Sequence, residues 1–144
     1  MAHLSLLLTP TPEILLTLQK SDFRKKFRLT NDLRAYAQKL GENGLKTHAK
    51  DILQKRLVPE AKANDGKQTP MKGHPIFVAQ HACALCCRGC VQKWYGIDPS
   101  RALTREETER AIELLTTWIR EDLKRTPKPI RRTSFEVRQA SFDF

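Results

Sequence analysis

Several features are missing from this sequence, and each absence excludes a class of protein. No apolar run approaches the ~20 residues that a membrane-spanning helix requires. The opening stretch from Met1 to Leu8 is partly apolar, but no basic residue precedes it and no small-residue cleavage site follows. A secretory signal is therefore not expected, and a cytoplasmic location is. The four cysteines all lie between Cys83 and Cys90, so none has a distant partner. Crosslinks among them would close trivial loops, which argues against a disulfide framework. Between Asn64 and Tyr95 the only carboxylate is Asp65, too few for a metal-dependent nuclease. Gly66-Lys67 lacks the earlier glycine of a phosphate-cradling loop. No glutamate follows His81 where a zinc deaminase needs one.

What is present is a chain of 144 residues, 40% hydrophobic and 29% charged, enough for one packed core. The formal charge is +10, and it is uneven. Arg24, Lys25, Lys26 and Arg28, with Lys20, surround Phe23 and Phe27. A second basic group, including Arg131 and Arg132, lies in the C-terminal tail. Clusters of this kind favour polyanions, and nucleic acid is the expected partner; a solvated surface is the plainer reading.

Periodicity predicts a mainly α protein, a single compact helical domain over residues 1–125 with a basic, flexible tail over 126–144. A first helix is expected from Thr11-Pro12-Glu13, with proline at its first position. Thr30-Asn31-Asp32 offers caps for a second helix, stopped by Gly41. A third runs from about Glu42 to Leu57, with His48 beside its apolar face. Val58 to Pro75 reads as a long ordered loop of about eighteen residues. Ile76 to Ala79 is too short to assign. The segment from Ala84 to Tyr95 is expected to be one Cys-rich helix ended by Gly96. Thr104-Arg105-Glu106-Glu107 is a capping box that opens a long amphipathic helix.

On a helix turning about 100° per residue, Cys83, Cys86, Cys87, Cys90 and Trp94 share one arc of about 100°. Three readings stay open. The arc can be a core face, since free cysteine behaves as a small buried hydrophobe. It can direct thiolates to a metal ion, with zinc the expected ion and Cys86, Cys87, Cys90, His81 and His48 the candidate ligands. It can serve thiol redox chemistry. An enzymatic alternative acting on a nucleotide or nucleic acid would draw on Asp65, Lys67, His74 and His81.

The strings Asn64-Asp65-Gly66-Lys67-Gln68-Thr69-Pro70, Gly73-His74-Pro75, Ala79-Gln80-His81-Ala82, Cys86-Cys87-Arg88-Gly89-Cys90 and Lys93-Trp94 resemble domain-of-unknown-function family 4186, a bacterial family. The resemblance runs from about Leu18 to Ile119 and includes Ser21, Phe23, Arg24, Phe27, His48 and Ala49. It implies no activity. The family's pattern has threonine in place of Cys83 and histidine in place of Tyr95, which points to Cys83 as a bystander among the thiols. Outside the resemblance, Gln139 to Phe144 is similar to the short peptides that dock on the bacterial replication sliding clamp.

Overall fold

The computed structural model describes residues 3–127. Helix α1, Thr11–Leu18, starts at Pro10, one residue earlier than its cap signal suggests, and buries Ile14 and Leu18. A short turn of helix follows, α2 (Asp22–Lys25), capped by Ser21 accepting from the Arg24 backbone N–H. Helix α3, Asn31–Arg56, begins at Thr30, whose hydroxyl accepts from Leu33 N. Gly41 is non-helical, with φ 69° and ψ 178°, so the span is two helices meeting at a kink, divided where the sequence places the end of the second helix and the start of the third. Glycine suits the bend because an L side chain at that φ is strained.

The residues from Ile76 to Ala79, unassigned by pattern, are helical: α4 spans Pro75–Ala82. Its start is fixed by Pro75 at the first position and by His74, whose Nδ1 accepts from Ile76 N at 3.0 Å. Helix α5 covers Arg88–Tyr95 and closes on Gly96 in the left-handed region. Helix α6, Arg105–Lys124, opens on the expected capping box, with Thr104 and Glu107 exchanging bonds. Arg101 clasps the same carboxylate with both terminal nitrogens.

The core forms where α3, α4 and α6 pack on one another. Leu53, Leu57, Ile76, Leu114, Leu115 and Ile119 are fully buried there. Asp122, buried at the end of α6, accepts from Arg28 Nε and Leu29 N and so anchors the chain between α2 and α3. Among the described residues there is no strand, and no helix is long and apolar enough to cross a membrane.

The single helix expected over Ala84–Tyr95 is a correction. Helix α4 ends at Cys83, the chain turns through Ala84 at φ 59°, and α5 starts only at Arg88. Two side chains, one local and one distant, set that start. The Cys87 thiol caps it, accepting from Cys90 N at 3.3 Å. The Asp65 carboxylate, reaching from the long loop, accepts from the Arg88 and Gly89 backbone N–H groups, each at 3.0 Å. An acidic side chain at this end also complements the helix dipole.

Candidate metal centre

Although the shared helical arc does not exist, the turn achieves a tighter convergence. The sulfurs of Cys86, Cys87 and Cys90 all lie within 4.8 Å of one another. Cys86 comes from the turn, Cys87 from the cap position and Cys90 from the first turn of α5. Around a tetrahedral zinc with Zn–S bonds of about 2.3 Å, sulfurs sit about 3.8 Å apart. The cluster therefore needs to contract by about 1 Å at most to close on an ion, within reach of side-chain rotation. The three cysteines can hold a metal ion.

Arg24 is the fourth member of the centre. It is 7% exposed, its side chain turned inward from α2. Its Nη2 donates to Cys90 Sγ at 3.2 Å, its Nη1 to Cys86 Sγ at 3.6 Å and to the His81 carbonyl at 2.7 Å. Against the cost of burial, these thiol contacts hold the guanidinium above its ordinary pKa. The Cys86 thiol is drawn down to about 7, first by the hydrogen bond from Cys90 and then, against burial, by Arg24. Cys90 moves the opposite way because it supplies that bond, and burial adds to the rise. Burial also lifts Cys87. Cys86 is thus the thiol of the three that ionises most readily.

Cys83 stands outside the cluster. It is fully buried, which pushes its thiol far up. Its carbonyl accepts from the Tyr95 hydroxyl.

Neither histidine expected among the ligands joins the thiol cluster. His81 Nε2 lies 3.1 Å from both the Thr69 and Pro70 carbonyls. Carbonyls only accept, so Nε2 carries the proton and ties the long loop to α4. Phe27 stacks on the ring's face at 5.5 Å. Thr69 completes the brace by donating to the Cys86 carbonyl at 2.7 Å. His48 instead pairs with His74, Nδ1 to Nε2 at 3.0 Å, beside Tyr36. Because His74 Nδ1 accepts from Ile76 N, its Nε2 must be the donor to His48.

The candidate catalytic residues are not gathered in one cleft. Asp65 spends its carboxylate on Arg88 N, Gly89 N and Gln68 Nε2. Partial burial works against it, yet these donors hold it below the usual carboxylate range. Asp65 lines a small cavity that Lys67, His74 and His81 do not line. Lys67 is exposed on the loop surface.

Of the residues expected to meet nucleic acid, Arg24 is committed to the thiols and Arg28 to Asp122 and the Thr126 carbonyl. Lys25 forms an exposed pair with Asp22. Lys26 lies over the Phe23 ring at 4.6 Å. Arg131, Arg132 and the segment from Gln139 to Phe144 lie outside the described residues. Sequence reasoning assigned Arg24 to the surface. Its place between Phe23 and Phe27, the latter stacked on His81, was the available signal for an inward side chain.

Fold and centre together define a mainly α-helical protein carrying a three-thiol turn under an inward arginine. The family model described as Domain of unknown function (DUF4186) matches residues 12–120, and the chain belongs to that family. No solved structure matches the chain.

Proposed function

We propose that this protein binds a zinc ion through the thiolates of Cys86, Cys87 and Cys90. The observation that carries the reading is the mutual approach of those three sulfurs within 4.8 Å. Soft thiolates favour zinc over hard cations such as magnesium or calcium. Three thiolates around a divalent ion leave one surplus negative charge, and the Arg24 guanidinium is the group placed to offset it. With three protein ligands in the cluster, the fourth is supplied by water or a bound molecule. That makes the centre closer to an open zinc site than to the closed structural one expected from sequence. Metal analysis of the native chain, purified without a histidine tag, tests the reading. About one zinc per chain is expected, and less than about 0.2 after incubation with zinc and gel filtration would sink it.

A second reading draws on the lowered Cys86 thiol. A peroxide would take two electrons from Cys86 and Cys90, forming one disulfide and two waters. Mass analysis of the zinc-free protein after peroxide treatment, with thiols counted before and after, separates this reading from simple metal binding.

The basic surface supports contact with a polyanion, and nucleic acid is the partner we propose. Phe23 is 45% exposed beside Lys25 and Lys26 on α2, a pairing of ring and cation suited to bases and phosphates. With Arg24 and Arg28 turned to internal partners, this face is narrower than the sequence suggests.

A further inference from the structure

Arg88 is among the most deeply buried side chains of the protein, 1% exposed, yet no carboxylate pairs with it. Its Nη1 donates to the carbonyls of Pro59 (3.0 Å) and Val58 (3.4 Å), and its Nη2 to the Asp98 carbonyl at 2.9 Å. Its Nε has no hydrogen-bond partner. All of its hydrogen-bond partners are neutral carbonyls, and the carboxylates of Glu107, Asp65 and Asp98 act on the charge only through space. A buried cation in that state attracts an anion wherever one can approach.

An approach exists. A cavity of about 170 Å³ opens beside Arg88, with Arg56, Lys62, Asn64 and Gln68 around it. Arg56 is held at the rim, its Nη1 donating to the Gln68 carbonyl at 2.7 Å and its guanidinium 5.1 Å above the Phe77 ring. Two carboxylates share the wall. Asp65 already serves the start of α5 and Gln68, and Glu60 is exposed. Cationic groups thus face the space from several sides, together with side-chain amides able to donate. The cavity is smaller than pockets for nucleotides and drug-sized molecules, which run about 300–1,000 Å³, and a small tetrahedral oxyanion fits within it.

We propose that the cavity is a phosphate site, taking inorganic phosphate or the terminal group of a small phosphate monoester. Arg56, Lys62 and Arg88 supply the charge, and Asn64 and Gln68 the amide donors. A dianion with oxygens in four directions uses donors on several walls at once, which a planar carboxylate cannot.

The test is isothermal titration of the full chain with inorganic phosphate, with ionic strength held constant by chloride. One saturable site is expected, with sulfate as a competitor. Parallel titration with glycerol 3-phosphate separates the two sources: equal or tighter binding marks a monoester site, and weaker binding marks free phosphate. Arg56→Gln combined with Lys62→Gln should weaken binding at least about tenfold. Glu60→Gln, which removes an opposing charge, should tighten it about two- to threefold. Absence of a saturable site, or an unchanged affinity in the double variant, would overturn the proposal. Should that variant prove unstable, Lys62→Gln alone, on an exposed side chain, decides by the same criterion.

Discussion

Arg24 and Cys90, 66 residues apart in the chain, meet at 3.2 Å, guanidinium nitrogen to sulfur. This contact joins α2 to α5 and gives the thiol cluster a buried cationic donor. Arg24 is thus a positioning residue for whatever the sulfurs hold. Arg24→Gln should lower zinc affinity about ten- to a hundredfold, the usual scale for groups that orient metal ligands. In the zinc-free protein the pH midpoint for alkylation of Cys86 should rise by about one unit, while Arg24→Lys keeps part of the effect. A midpoint that stays put in Arg24→Gln would show that the arginine only packs.

The cysteines divide three against one. Serine at Cys86, Cys87 or Cys90 should each drop bound zinc below about 0.2 per chain. Cys83→Ala should leave the zinc content unchanged and cost about 1 kcal/mol of stability for the lost sulfur contacts. Elemental analysis and denaturant melts of the four variants check the division. Zinc lost equally from all four would dissolve it.

His74 makes stability depend on pH. Burial first, and the nearby His48 second, push its pKa from 6.5 down to about 4. The unfolded chain therefore takes up a proton at this site before the folded one does. The contribution is complete above pH 6.5 and is lost progressively as pH falls toward about 4. A shift of this size corresponds to about 3 kcal/mol at full effect, and the ring's partial exposure lowers the expectation to about 2 kcal/mol. His74→Asn keeps an acceptor for Ile76 N and removes the titration. Its denaturation midpoints should vary less between pH 6.5 and 4 than those of the parent. Equal slopes in parent and variant would count against this origin.

The basic face of α2 splits by role. Lys25→Gln together with Lys26→Gln should leave the melting temperature unchanged and reduce the salt slope of duplex binding by about two. Arg28→Gln should instead cost about 3 kcal/mol, because it strips an ion-pair partner from the buried Asp122 carboxylate. Binding measured at several salt concentrations, beside melts of the same variants, distinguishes the two. A duplex affinity indifferent to salt would end the nucleic-acid reading.

Local chemistry was legible wherever it decided the structure. The Thr104 to Glu107 box sits at the start of α6 because both of its bonds lie within four residues. Gly41 marked a real division, and α3 is kinked there between the two helices that the pattern separates; the angle between them is set by packing against α4 and α6, which no short window records. The cysteine segment misled for the same reason. Its spacing matches a helical face, while the chain turns at Ala84 and the late start of α5 is held by Asp65, 23 residues before Arg88. The histidines were identifiable as polar and near the site. Their partners, carbonyls for His81 and a second imidazole for His48, come from the fold of the long loop. The sulfurs converge all the same, because short spacing alone keeps Cys86, Cys87 and Cys90 within reach.

The first residues described are fastened to the last parts of the fold. Leu4 N donates to the Trp94 carbonyl at 3.0 Å, and Arg110 of α6 reaches back across 104 residues to the Leu6 carbonyl and across 101 to that of Thr9. During synthesis the amino-terminal stretch must leave the ribosome and wait, its apolar Leu6 unsheltered, until α6 has emerged. Contacts that span about a hundred residues close late, so this seam forms after the local helices on either side of it.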